Sequence, residues 1–298
     1  MPSGLNQWVF SHWSSRFSSL NARKGGKPLS GRSGIIGIPF ATAYPPNPQK
    51  ANRLVADAPS TLRRAIVGEQ WIDYGDVSLL LPVVPVTPDQ VIDLMDTIRL
   101  QVAPCIEEMD FTLILGGECY IACATLPVIR ARYPNCHVLW FDAHPDFLNE
   151  RNSRTNFLDG MSLARVLGCA GSQEPVLDTD QVTLLGGQDA EAQEIVAMNR
   201  GQIHWVQATE IERWAEQSLP PGDLFVHLDV DILDPEEMPA VDFPSTSGVA
   251  VAALQKVLQT IADTSRLRGI EVCCYNQALD PDQRGLHALR SLLEVCLP

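Results

Sequence analysis

The chain has 298 residues, 45% of them hydrophobic and 19% charged, which is ordinary for a globular protein and long enough to bury a sizeable core. No run approaches the roughly 18 uninterrupted apolar residues of a membrane span, and collagen, coiled coil and wholesale disorder are excluded as well. The net charge of −14, from 22 Lys+Arg against 36 Asp+Glu, argues against nucleic-acid and anionic-membrane partners, because phosphate contacts call for a basic surface. It suits an enzyme with a small cationic substrate.

That charge is unevenly spread. Arg16, Arg23, Lys24, Lys27, Arg32, Lys50 and Arg53 all precede the first acid, Asp57, so residues 1–56 carry +7. Residues 1–33 are rich in Ser, Gly and Arg and hold Trp8, Phe10, Trp13 and Phe17. They read as a basic arm that packs its aromatics on the acidic body or on a neighbouring subunit; an organellar transit peptide has a similar composition. Residues 34–298 read as one domain. A secretory pattern is missing and the eight cysteines include no C-x-x-C pair, so reduced thiols in a cytoplasmic protein are expected.

Short apolar runs at 34–39, 111–115, 137–141, 182–185, 224–228 and 269–274 alternate with helix-length segments near 60–66, 89–108, 119–133, 161–167, 190–199, 209–217, 251–263 and 286–295. The runs are rich in Val, Ile and Leu and apolar on both faces, like strands of a parallel sheet covered on both sides. The alternation predicts an α/β fold, a three-layer α/β/α sandwich with a mainly parallel sheet. Segments 41–52 and 235–248 read as loops.

Four polar clusters follow or close predicted strands: Gly116-Gly117-Glu118-Cys119, Asp142-Ala143-His144-Pro145-Asp146, Gly186-Gly187-Gln188-Asp189 and Asp229-Val230-Asp231-Ile232-Leu233-Asp234-Pro235. Parallel strands point their carboxyl ends one way, and ligands bind in the crevice there, so the clusters should converge. Carboxylates suit Mg, Ca and Mn, and an imidazole moves the choice towards Mn, Zn or Fe. Four aspartates and a histidine exceed the needs of one ion. Two adjacent ions can share bridging carboxylates and activate a water against a carbon electrophile. A lone D-x-D is ordinarily a solvated turn or a helix cap; four aspartates placed after buried strands are harder to read that way.

These motifs resemble those of the ureohydrolase family, which includes arginase, agmatinase and formiminoglutamase. The family's G-G-x-H turn, D-A-H-x-D turn, D-x-D-x-x-D-P segment and late strand Glu stand here as GGEC at 116–119, DAHPD at 142–146, DVDILDP at 229–235 and GIEV at 269–272. The resemblance spans residues 34–285. It implies an arginase-like sandwich, two Mn(2+) ions and a homo-oligomer, trimer or hexamer. By the same resemblance one ion would be held by Cys119, Asp142, Asp146 and Asp229, and the other by Asp142, His144, Asp229 and Asp231. Glu271 would receive a guanidinium group and Asp189 a substrate α-amino group, through charge-assisted hydrogen bonds. The plainer reading of Glu271 is a buried strand carboxylate paired with an Arg.

Three departures from the family pattern bear on substrate. Cys119 replaces a metal-binding His, as in a branch resembling the Nω-hydroxy-L-arginine hydrolase; its softer thiolate admits other divalent ions, Zn or Fe. Asp159-Gly160 replaces a His-Gly pair whose His shuttles a proton to the departing amine, and an Asp can do so only if burial raises its pKa. Phe243 re-lines the loop 239–244, where a Pro-Gly-Thr-Gly-like stretch is usual. Asn149 and Thr155 approximate the contacts to an amino-acid carboxylate, and His227 reads as packed beside the ligands. The expected activity is metal-dependent hydrolysis of a guanidino C–N bond, N-hydroxy-L-arginine first and L-arginine next. The rivals are a hydrolase of agmatine or guanidinobutyrate, and a catalytically impaired relative that acts as a binding protein.

Overall fold

The computed structural model describes residues 31–41, 53–68, 70–79, 88–171, 174–201 and 203–296. The basic arm read over residues 1–33 lies almost wholly outside them, as does most of the 41–52 loop. Arg32–Pro298 is one compact unit.

Its centre is an eight-stranded sheet of β1 (Ser33–Ile38), β2 (Trp71–Asp76), β3 (Phe111–Gly116), β4 (His137–Asp142), β5 (Val182–Gly186), β6 (His204–Gln207), β7 (Leu224–Asp229) and β8 (Leu267–Cys273). The spatial order is β2-β1-β3-β8-β7-β4-β5-β6, and every adjacent pair is parallel. Six strands coincide with the six apolar runs. The other two are the edges, which need no two-faced apolar stretch. β2 reads Trp-Ile-Asp-Tyr-Gly-Asp and exposes Ile72 and Asp73, and β6 has four residues with His204 and Gln207 in solvent.

Helices cover both faces, as the alternation predicts. On one side lie α1 (Ala58–Ile66), α6 (Ile211–Gln217), α7 (Val251–Asp263) and α8 (Arg284–Glu294). On the other lie α2 (Pro88–Glu108), α3 (Ala122–Arg132), α4 (Ser162–Val166) and α5 (Ala192–Gly201). Successive strand residues serve the two layers in turn. Val138 and Trp140 enter one core, Leu139 and Phe141 the other. Each such side chain contributes about 1.5–3 kcal/mol on burial. α7 buries Leu254, Val257, Leu258 and Ile261, the i, i+3, i+4, i+7 stripe of a helix facing a core.

Register decides what reaches the carboxyl edge. Trp140 is level with His227 and Phe141 with Leu228, so Asp142 and Asp229 end neighbouring strands side by side. On β8, Glu271 is level with His227 and Cys273 with Asp229. Glu271 therefore stops two residues short of the edge.

Candidate active site and metal centre

The carboxylates are aimed by short turns that begin where the strands end. A 3-10 turn over Val230–Ile232 carries Asp231 back beside Asp229, whose Oδ1 accepts from the Asp231 N–H at 2.9 Å. Asp231 Oδ1 accepts from the Ala143 N–H at 3.1 Å and its Oδ2 lies 2.8 Å from His144 Nδ1. Asp142 is held on both oxygens, by the His144 N–H at 2.7 Å and the Trp140 indole N–H at 3.1 Å. Asp146 sits at φ 52°, a left-handed conformation uncommon outside Gly that Asp and Asn tolerate best.

Cys119 arrives from the turn after β3, which β8 separates from β7. The Gly116-Gly117 turn after β3 passes so close to Phe40 that a Cβ on Gly117 would lie 1.9 Å from the Phe40 carbonyl oxygen, so no larger residue fits. The Gly117 carbonyl accepts from the Cys274 N–H at 2.6 Å. From this clamp the Cys119 thiol donates to Asp229 Oδ2 at 3.0 Å and lies 3.6 Å from Cys274 Sγ.

Donor atoms of Cys119, Asp142 and Asp146 fall within 4.8 Å of one another, as do those of Asp142, His144 and Asp231. Asp142 belongs to both sets. Burial, followed by the repulsion of neighbouring carboxylates, pushes Asp142, Asp146 and Asp229 well above the usual carboxylate range. Burial works to lower the His144 imidazole, but the Asp231 carboxylate outweighs it and holds it up at about 9. Buried like charges that share a few ångströms call for cations, and the donor set, carboxylates with one imidazole and one thiol, fits a pair of divalent ions.

A cavity of about 220 Å³ opens over the cluster. Its described lining carries nine carboxylates (Glu118, Asp146, Asp159, Asp189, Glu191, Glu194, Asp229, Asp231 and Asp242), one imidazole from His144, and no Lys or Arg. Such a chamber favours a cation. Asp159 is buried at its floor, where Oδ1 accepts from the Tyr120 N–H at 2.7 Å, and burial raises its carboxyl to about 7. Asp189 lines the rim, accepting from Thr246 N–H at 3.3 Å and Thr246 Oγ1 at 3.1 Å. Phe243 and Phe157 wall one side, ring centroids 5.7 Å apart.

Two expected contacts are not there. Glu271 is wholly buried, bonded through Oε1 to His227 Nδ1 at 2.8 Å, and does not line the cavity. Its partner is a histidine rather than the Arg of the plainer reading. Asn149 instead closes a turn, its Oδ1 accepting from the Arg151 N–H at 3.0 Å, and it is absent from the lining. Conversely, Cys274 and Thr246 have places at the site that sequence reasoning passed over. The place of Cys274 just past the carboxyl end of β8, where a parallel sheet collects its ligands, was the available signal for it; Thr246, in an irregular loop, offered none.

A sequence model described as "Arginase family" matches residues 32–297. Over 191 residues the chain is 27% identical to the N(omega)-hydroxy-L-arginine amidinohydrolase of Streptomyces lavendulae, covering 63% of this chain and 69% of that one. Over 291 residues it is 25% identical to the arginase of Bacillus subtilis, covering 88% and 96%. The fold superposes on the crystal structure of arginase from Bacillus cereus with a TM-score of 0.78 at 25% identity, over 90% of this chain and 98% of the other.

Proposed function

The chain belongs to the arginase family, hydrolases of C–N bonds in linear amidines, and from that premise we propose that it cleaves N-hydroxy-L-arginine to hydroxyurea and L-ornithine, with L-arginine a slower substrate. Water adds to the guanidino carbon, the bond from that carbon to the side-chain nitrogen breaks, and the departing amine takes up a proton. Cys119, Asp142, His144, Asp146, Asp229 and Asp231 would hold two divalent ions, which would supply Lewis-acid activation of water and of the guanidino carbon.

The observation that carries the reading is Asp159. A carboxyl near 7 at the floor of the cavity is half protonated at neutral pH and can donate to a leaving amine. Both substrates release the same ornithine amine, so Asp159 serves guanidino cleavage in general; the order of the two substrates rests on Cys119, which the sequence shares with the branch resembling the hydroxyarginine hydrolase. The nine lining carboxylates draw in the cationic head, Asp189 suits an α-ammonium group, and Phe157 with Phe243 excludes water from one wall. The name of the Streptomyces lavendulae relative points the same way. The test is release of hydroxyurea and urea from the two substrates with Mn(2+) added; a higher kcat/KM for L-arginine overturns the choice.

A second reading follows from Asn149. With that side chain occupied in its own turn and no basic residue in the described lining, the support for a substrate carboxylate is thin. A decarboxylated guanidino amine such as agmatine is the alternative, and including it in the same assay decides between them.

A further inference from the structure

We propose that the ion on the Cys119 side is bound by two thiolates, Cys119 and Cys274, and that this half of the centre therefore selects a zinc-like ion over manganese. The proposal rests on reading the cluster as a metal centre; it does not depend on which guanidino compound is cleaved.

Cys274 stands just beyond the last residue of β8. Its φ of 69° is a left-handed conformation that a residue with a Cβ adopts only where its surroundings impose it. What imposes it is visible: the Cys274 N–H donates to the Gly117 carbonyl at 2.6 Å, which clamps the end of β8 against the turn that carries Cys119. The result places Cys274 Sγ 3.6 Å from Cys119 Sγ. Donor atoms of Cys119, Asp229 and Cys274 lie within 4.8 Å of one another. Cys274 also lines the cavity, whereas Cys119 is 1% exposed behind it.

Two thiolates about 2.3 Å from a tetrahedral zinc ion stand about 3.8 Å apart. The two sulfurs are therefore spaced nearly as one such ion would hold them, without any change of backbone. Together with Asp229, they offer a sulfur-rich donor set to one ion. The neighbouring Asp142, His144 and Asp231 set is oxygen and nitrogen only. Soft donors select Zn, Fe(II) and Co(II), while oxygen-rich sets suit Mn. The two halves of the centre should then differ in their preferred ion.

The experiment uses the full chain, stripped of metal under reductant and loaded with Co(2+). Two thiolates predict a strong near-ultraviolet sulfur-to-cobalt charge-transfer band that falls by about half in Cys274→Ser and vanishes when Cys119→Ser is added. A band indifferent to Cys274→Ser, or no such band in the wild type, overturns the proposal. Because a variant can fold poorly, X-ray absorption of the wild type loaded with one Zn(2+) per chain gives a second measure: two sulfur neighbours per zinc at about 2.3 Å are expected, and one or none overturns it. Dialysis against mixed Zn(2+) and Mn(2+) should leave a zinc-to-manganese ratio in the wild type that falls in Cys274→Ser, and an unchanged ratio overturns the selectivity. All three readouts are independent of turnover, so a wrong substrate assignment and a wrong ligand assignment fail in different assays.

Discussion

His227 and Glu271 meet across β7 and β8, Nδ1 to Oε1 at 2.8 Å, with neither side chain exposed. The ring of Trp140 stacks on His227 at 3.7 Å between centroids, and Trp140 in turn donates to Asp142. The pair is thus a buried support beneath the carboxylates. Glu271→Ala leaves the buried imidazole without its partner, and leaving a buried hydrogen-bonding group unsatisfied costs about 1–3 kcal/mol. Urea unfolding should show a loss of that order, while KM of the folded fraction stays near wild type. A steep rise in KM at unchanged stability would return Glu271 to the substrate.

The pH dependence of the metal-free protein should be unusual. Asp159 titrates at about 7 instead of 3.8, so the folded state binds more protons than the unfolded one between those values, and stability falls as pH rises through that interval. His144, raised to about 9 from 6.5, contributes stability that is whole below 6.5 and lost as pH rises through 9. Both signs agree. At about 1.4 kcal/mol per pH unit of displacement, ionising Asp159 alone costs on the order of 4 kcal/mol. Tm of the metal-free protein should drop steadily from pH 4 to pH 9, and divalent metal should flatten the slope. A Tm that rises over that range would contradict the buried-carboxylate picture.

Asp146→Asn separates stability from metal binding. Asn tolerates the φ of 52° as well as Asp does, and it removes a buried carboxyl that repels Asp142. The metal-free variant should gain on the order of 1 kcal/mol, roughly 2–4 °C in Tm. Its stabilisation by added Mn(2+), which follows RT ln(1 + [L]/Kd), should shrink. Paired melts with and without metal read both effects.

Asp159→Asn keeps an acceptor for the Tyr120 N–H but loses the proton. General acid catalysis is worth about 10²–10⁴-fold, so kcat should fall within that range for both substrates, which share the departing ornithine amine. The ionisation near 7 should leave the pH–rate profile, with metal content unchanged. A profile that keeps its inflection assigns the proton elsewhere.

Cys119→His exchanges a soft donor for an imidazole. Retention of Mn(2+) after dialysis should rise relative to Zn(2+). Equal Mn(2+) content in wild type, Cys119→His and Cys119→Ala would remove Cys119 from the ligand set.

The aspartates were legible because each stands at the carboxyl end of an apolar run, where a parallel sheet collects its ligands. Composition and alternation exposed the sandwich for the same reason: central strands must be apolar on both faces. The edges β2 and β6 escaped because an edge strand is not buried on both sides. Glu271 sits away from the cavity because of register. Motif spacing marks it as the late strand carboxylate, but pairing sets it level with His227 and leaves Cys274 to reach the cavity. Asn149 failed for a local reason: an Asx side chain beside its own turn finds a backbone N–H sooner than a ligand. Strand order across the sheet, on which the convergence of Cys119 with Asp229 depends, is written in no single segment.

That strand order also constrains how the molecule comes into being. β8, the last described strand in the chain, lies in the middle of the sheet between β3 and β7. Until it enters, β2-β1-β3 and β7-β4-β5-β6 are separate half-sheets, each with an unsatisfied inner edge. Such edges are templates for wrong pairing and aggregation. Cys119 belongs to one half and Asp142, Asp146, Asp229 and Asp231 to the other, so Cys119 meets the aspartates only with the closing of the seam. A chain interrupted before Leu267 should accordingly be sticky and should lack the thiol-containing side of the cluster, even though it contains every aspartate.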